Sequence, residues 1–228
     1  MFNICSTNLY FRFSATRWIE DEVVAERALL LWPNIVKVVK YLEGLCKSKR
    51  PKNKSYETIT KHYLDELFPI KLQFFKDIAG QLKGYLEPMQ TDRPMVPYLE
   101  EALSDIVSTM MRIIINPTVL AEANTSYKLI KIDLSKTTNL NPSELIRLPT
   151  ATKALVGKAE LPPQKKRNFL KDCQAMIIAL LQKIQDKCPL KYGIARYASS
   201  LSPSKIVAQK ERCREYFCNL VDKFYDGK

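Results

Sequence analysis

The residue types that carry most enzyme chemistry are sparse in this chain of 228 residues. His62 is the only histidine, so a histidine metal cage and a Ser-His-Asp relay have one candidate residue between them. Its neighbours Lys61 and Tyr63 predict an exposed position on a helix. Cys213 and Cys218 are separated by four residues, without a second pair at metal-binding spacing. Because Cys213 matches the apolar face of a predicted helix, we interpret it as a packed thiol.

The sequence also contains neither a glycine-rich phosphate-binding loop nor a pair of carboxylates placed to share a metal. Gly80 and Gly84 lie inside a helical pattern and are too few for a phosphate cradle. Adjacent carboxylates point about 100° apart on a helix, which predicts solvated faces rather than a shared metal. The pairs are Glu20 with Asp21 and Glu100 with Glu101. The sequence therefore predicts no metal, no cofactor and no catalytic residue, so we expect that the chain as it stands is not an enzyme.

Positive charge is the strongest chemical signal of the chain. Its 36 Lys and Arg exceed its 24 Asp and Glu by 12, and such an excess attracts polyanions, of which nucleic acid is the usual one. We predict phosphate contacts at two clusters: a loop without acidic residues, and the start of a helix, where phosphate would offset the unfavourable dipole. The clusters are Lys47, Lys49, Arg50, Lys52 and Lys54, and Lys165, Lys166 and Arg167. Each could equally be a solubilising surface, and a short basic run can also direct nuclear import.

Arg17 and Trp18 form a third candidate contact with DNA. A guanidinium fits phosphate, and an indole face can stack on an unpaired base. The alternative is that the pair begins a helix and packs against its core, which is the common use of tryptophan.

The apolar residues recur mostly at the helical period, and 6 glycines leave few turns for an all-β fold. We therefore predict an all-α fold, an irregular multi-helix bundle. The predicted helices are 18–32 and 35–45, hinged at Pro33, then 55–68, one opened by Pro69, 96–114, 163–187, and one from Pro203 to the C-terminal end. Residues 127–134 could form a short strand or a helix turn. Ser55 is the predicted N-cap of the helix over 55–68. The apolar stripes of the next three helices are, in order, Phe74, Phe75, Ile78, Leu82 and Tyr85; Val96, Leu99, Leu103, Ile106, Val107, Met110 and Ile114; and Phe169, Cys173, Met176, Ile177, Leu180 and Ile184. The last helix is predicted to bury Cys213, Tyr216, Phe217, Leu220 and Phe224.

We predict one helical domain over residues 1–228, with a weak subdivision around 139–161, where the periodicity is poor. The first motif and the last helix lie so close to the two ends that we expect a piece of a longer protein. No apolar run reaches the roughly 18 to 20 residues that a membrane span needs. The six cysteines, without a secretory start, are expected as free thiols in a reducing compartment.

A family resemblance gives these features a context. The sequence Ala15-Thr16-Arg17-Trp18, followed by an acidic-polar turn and a helical stretch, resembles the Thr-Arg-Trp segment of hAT-family transposases. In that family a large all-helical insertion interrupts an RNase H-like catalytic core, so the resemblance implies that this chain is such an insertion domain. It also implies that Trp18 stabilises a flipped base during hairpin formation, with Arg17 beside it.

The same resemblance implies that catalysis lies outside this chain. Asn8 stands where the family's Cys-x-x-His element would place its histidine after Cys5. The two catalytic aspartates are expected before Met1, and the catalytic glutamate and the dimerisation segment after Lys228. Strand transfer needs all three carboxylates around metal ions, so we expect no DNA cleavage by this chain. The expected partners are DNA and, through segments outside the chain, a second copy, with residence in the nucleus and no membrane partner. The alternative function is a helical protein-interaction scaffold with a basic surface and no nucleic-acid role.

Overall fold

The computed structural model describes the backbone of residues 18–225 and the side chains of residues 22–225. Within this range the chain forms eleven α-helices and no β-strand, which confirms the all-α class. Ile115 and Leu140 form an isolated antiparallel bridge. None of the helices in this range is long and apolar enough to span a bilayer. The helices are α1 (Trp18–Glu43), α2 (Lys54–His62), α3 (Phe68–Leu86), α4 (Leu99–Ile114), α5 (Pro117–Glu122), α6 (Ser126–Ile130), α7 (Thr150–Lys158), α8 (Pro163–Lys187), α9 (Gly193–Tyr197), α10 (Pro203–Ala208) and α11 (Lys210–Tyr225).

The chain divides into two compact units. The first contains the described residues up to Gly84 together with Leu148–Leu170, and the second contains Tyr85–Arg147 together with the described residues from Lys171 onward. Each unit is therefore built from two separate stretches of chain. One change of unit, between Arg147 and Leu148, lies within 139–161, and the other two lie inside α3 and α8.

The first unit begins with α1, which is one helix where the sequence predicted two. Pro33 lies inside it rather than at a hinge. Proline within a helix costs roughly 3 kcal/mol, but Ala25 and Val39, on either side of it, are both buried on one face of α1. Their packing holds the helix together through the proline.

The next helix begins slightly earlier than predicted and ends sooner. Asn53, not Ser55, is the N-cap of α2, because its Oδ1 accepts a hydrogen bond from the amide of Tyr56 at 2.7 Å. The helix ends at His62 instead of Phe68. A turn follows, in which Oδ1 of Asp65 accepts from the amide of Leu67 at 3.0 Å, and α3 then begins one residue before Pro69.

The core of the first unit lies along α3. Phe74, Phe75, Ile78 and Leu82 are buried, as the sequence predicted, and Phe74 meets Phe169 of α8 edge to face at 6.5 Å. Two ion pairs join α1 to α3, Glu22 to Lys83 at 3.1 Å and Glu26 to Lys76 at 2.7 Å. The first unit is therefore an apolar core along α3, with ionic contacts at its edge.

Asp77 of α3 supplies the first turn of α7 with an acceptor. Its Oδ2 accepts from the amide of Thr152 at 3.1 Å and from the Thr152 hydroxyl at 2.6 Å. The residue before α7 is Pro149, which makes no side-chain capping bond. Because Thr152 is fully buried, Asp77 replaces a local N-cap for this helix.

The second unit packs around α4 and the later turns of α8. The predicted stripe of α4 is buried at Ile106, Val107, Met110 and Ile114, although Val96 precedes the helix and is exposed. Along α8, Cys173, Met176, Ile177 and Leu180 are buried as predicted. Residues 126–130 form the helix turn α6 and not a strand.

The C-terminal part of the second unit departs from the prediction. The expected single helix breaks at Gln209, which leaves α10 and α11. Cys213 and Leu220 are buried, but Phe217 and Phe224 are exposed, so their predicted burial is wrong. The segments packed against α11 include α9 and α10, and they cover only the side that carries Cys213 and Leu220.

We predict that Asp77→Ala lowers the free energy of unfolding by about 1–3 kcal/mol, because it leaves the amide and hydroxyl of the buried Thr152 without their acceptor. Urea unfolding followed by circular dichroism measures this change. Asp105→Ala, at an exposed carboxylate of α4, is the matched control, with an expected effect within about 0.5 kcal/mol. Equal stability of the two variants would show that Asp77 does not cap α7.

Candidate nucleic-acid interface

The loop between α1 and α2 holds the first predicted cluster. Residues Lys47–Lys49 form a 3-10 turn, and the backbone at Arg50 and Asn53 is extended. The half-buried guanidinium of Arg50 donates from Nε to the carbonyl oxygen of Leu45 at 3.0 Å and from Nη2 to the carbonyl oxygen of Glu43. Arg50 therefore ties the loop to the end of α1, which sequence reasoning did not foresee.

Four other cations of this loop are exposed, and we call them the loop lysines: Lys47, Lys49, Lys52 and Lys54. None of them forms an ion pair with a carboxylate among the described residues. Residues 34–61 contain seven Lys and one Arg against two Glu, so they carry +6 of the formal charge of +12. The structure thus leaves an unneutralised cationic surface on the first unit.

The second predicted cluster is also exposed and also belongs to the first unit. Lys165, Lys166 and Arg167 lie in the first turn of α8, which has no acidic residue. Nζ of Lys165 lies 3.6 Å from Oε2 of Glu66, with both side chains more than half exposed. Such a surface pair contributes about 0–1 kcal/mol and is readily exchanged for phosphate.

The two clusters are connected through α2. The loop lysines end in its first turn, and Glu66, the partner of Lys165, follows four residues after its end. A helix of this length spans about 13 Å, and Lys61 is exposed in its last turn. Exposed lysines therefore lie at both ends of α2. This spacing suits contacts with several successive phosphates rather than with a single anion.

The remaining predicted contacts lie at the N-terminal edge of the described chain. Arg17 lies outside the described residues. Trp18 is the first residue of α1, but its side chain is also outside them. The structure therefore shows helical backbone at Trp18 and says nothing of the indole.

His62 is half-buried rather than exposed. Its ring stacks on Phe68 at 5.4 Å between centroids, and burial together with the neighbouring Lys61 lowers its pKa. Among the described residues no three His, Cys, Asp or Glu side chains gather as a metal site. His62 is thus a packing residue of the turn before α3.

Glu100 is the ionisable residue that sequence reasoning misjudged. It was expected with Glu101 on a solvated face, but Glu100 is 4% exposed, whereas Glu101 is exposed. Its Oε1 accepts from the Ser126 hydroxyl and its Oε2 from Nζ of Lys205, both at 2.7 Å. Nη2 of Arg212 lies 3.9 Å away. The carboxylate links α4 to α6, α10 and α11, and no local pattern could have revealed this, because its donors lie 26 to 105 residues away.

The surroundings of Glu100 favour its charged form. Burial alone would raise the pKa of Glu100, but hydrogen bonds from Lys205, Ser199 and Ser126 outweigh it and hold the pKa below the ordinary value of 4.5. All of these donors come from the second unit. Both oxygens of Glu100 therefore have partners within the protein, and we assign the residue a structural role.

A second feature missed at the sequence level is a series of cation–aromatic contacts in the second unit. The Arg196 guanidinium lies 4.7 Å from the ring centroid of Tyr127 and 6.0 Å from that of Tyr197. Tyr197 meets Tyr216 edge to face at 5.4 Å, and Arg212 lies 5.0 Å from the Tyr216 ring. The contact of Arg212 with Tyr216 has helical spacing, but the one between Arg196 and Tyr127 joins distant segments. Because Arg196 also donates to the carbonyl oxygen of Leu190 at 2.7 Å, we interpret the series as packing.

Compared with protein-family models, curated proteins and solved structures, the chain matches none of them.

We predict that Glu100→Gln destabilises the protein by roughly 1–4 kcal/mol at neutral pH, because Lys205 loses its buried counter-charge. The pKa of Glu100 is lowered by folding, so its stabilisation is present above pH 4.5 and is lost as pH falls through the folded-state value. Urea unfolding from pH 7 to pH 3 should show the gap to the parent protein closing in acid. Glu101→Gln is the control and should show no comparable gap. A gap for Glu100→Gln that is independent of pH would contradict the ionic role.

Proposed function

We propose that this chain is a DNA-binding helical insertion domain of a transposase-like protein, and that it holds DNA without cutting it. The observation that carries the proposal is the set of loop lysines, which are exposed, without carboxylate partners among the described residues, and set on a loop that Arg50 fastens to α1. Charges left unneutralised on an ordered surface are what phosphate binding needs.

The proposed binding is to the DNA backbone and reads little sequence. Lysine is a flexible point charge that contacts phosphate without base discrimination. Lys165 and Lys166 extend the contacts at the start of α8, where phosphate would also relieve the opposition between these cations and the helix dipole. Arg50, with two donors committed to backbone carbonyls, serves as a positioning residue for the lysines.

The resemblance to hAT-family transposases supplies the DNA form. On that basis Arg17 and Trp18 contact unpaired or hairpin DNA, while the cutting carboxylates belong to segments outside this chain. The helical backbone at Trp18 and the all-α fold support this assignment.

We predict that replacing the four loop lysines with glutamine weakens binding to a DNA duplex. The slope of the logarithm of the binding constant against the logarithm of the salt concentration should become shallower by up to about 3.6, since each phosphate contact contributes about 0.9. Fluorescence anisotropy over a range of salt concentrations measures both quantities. The matched control removes the same charge from exposed lysines elsewhere, Lys153, Lys158, Lys210 and Lys223. If both variants lost DNA affinity equally, the affinity would depend only on net charge, and the loop would not be the binding surface.

We predict that Trp18→Ala weakens binding to hairpin DNA by about 1–3 kcal/mol, the range for one base stacked on an aromatic ring, with no change for an intact duplex. Parallel titrations of the two DNA forms measure the difference. Equal losses on both forms, together with a lower melting temperature, would identify Trp18 as a core residue and remove the base-stacking part of the proposal.

A further inference from the structure

α1 is apolar on two faces. One face is buried at Ala25, which packs against Phe75 and Ala79 of α3. The other face is open to solvent, with Leu31 54% exposed, Val38 56% exposed and Tyr41 70% exposed. An apolar face of a helix is normally covered by another element. The open face of α1 is therefore a surface without a partner within the described chain.

This face forms one wall of an apolar groove of about 400 Å³. Leu31, Ile35, Val38 and Leu42 of α1 line it on one side, and Tyr56 and Ile59 of α2 line it on the other. Its volume lies at the lower end of the range for small binding pockets, roughly 300–1000 Å³. A groove between two helices with such a lining suits the apolar side chains that a third helix presents at intervals of three, four and seven residues.

The charges around the groove indicate which kind of partner it would bind. Arg27 precedes Leu31 by four residues and Lys37 precedes Tyr41 by four, so both cations flank the open face. The carboxylates of α1 that the structure describes point elsewhere: Glu22 and Glu26 pair with α3, and Glu43 accepts from the Tyr63 hydroxyl. A second copy of this chain would bring another +12 to this surface. We infer that the groove binds an amphipathic helix of a protein partner whose apolar stripe is flanked by Asp and Glu.

The groove is distinct from the proposed DNA contacts. Pro51 and Asn53 of the loop line the groove, and the backbone at Arg50 and Asn53 is extended. None of the four loop lysines lines the groove, and all four are exposed. DNA and the partner helix would therefore contact different side chains of the same loop, and the inference goes beyond the proposed function.

The test uses the full chain and a fluorescein-labelled synthetic helix with leucines at positions i, i+3, i+4 and i+7 flanked by glutamates. We expect saturable binding of the peptide. Leu31→Ser and Val38→Ser should each weaken it about tenfold, since each removes most of an aliphatic side chain that the bound peptide would bury. Leu30→Ser is the matched control, because Leu30 is 73% exposed on the same helix but does not line the groove. It should bind the peptide as the parent does. All three variants are at exposed positions and should keep the parent's melting temperature and DNA affinity.

Four outcomes would overturn the inference. The first is peptide binding that Leu31→Ser and Val38→Ser leave unchanged. The second is equally tight binding of a peptide with lysine in place of glutamate. The third is absence of peptide binding combined with Leu31-dependent binding to phosphatidylserine vesicles, which would make the face a membrane contact. The fourth is a dimer in sedimentation that Val38→Ser dissociates, which would assign the face to a second copy. If the loop-lysine variant loses DNA binding but still binds the peptide, the inference remains supported. The test of the groove and the test of the DNA contacts can therefore fail separately.

Discussion

Burial of the apolar stripes of α3, α4 and α8 is the constraint on which the rest of this structure depends. Among the described residues, nine of the twelve largest fully buried side chains lie on these three helices. Once their stripes are covered, the shorter helices take positions that complete the two cores. The contact of Asp77 with Thr152 shows how a polar group is then accommodated at the margin of such a core, since a buried amide and hydroxyl need an acceptor.

The two units use ionic groups in opposite ways. In the second unit, Glu100 is buried and receives donors from several elements, so its charge is balanced within the fold. In the first unit, the loop lysines are exposed and lack carboxylate partners within the described residues. A satisfied buried charge is a structural device, whereas an ordered group of unsatisfied surface charges favours an external anion. This contrast is why the proposed DNA contacts are assigned to the first unit.

Arg50 connects the two proposed surfaces of the first unit. By donating to the carbonyl oxygens of Leu45 and Glu43, it fastens the loop between α1 and α2 to the end of α1. In this loop Pro51 and Asn53 line the apolar groove, while Lys52 is exposed and does not line it. One guanidinium thus stabilises the loop that carries both the proposed DNA contacts and part of the groove lining.

The sequence by itself determined the features that depend on neighbours along the chain. The all-α class, the buried stripes of α3, α4 and α8, the helix starts near Pro69 and Pro163 and the location of the basic clusters follow from helical periodicity and local composition. Only the tertiary structure decided that α1 continues through Pro33, that Glu100 is buried, that Phe217 and Phe224 are exposed, and that the guanidinium of Arg50 binds backbone. The physical reason is that burial depends on which distant segment covers a side chain: the donors of Glu100 come from α6 and α10, and no segment among the described residues covers the open face of α1.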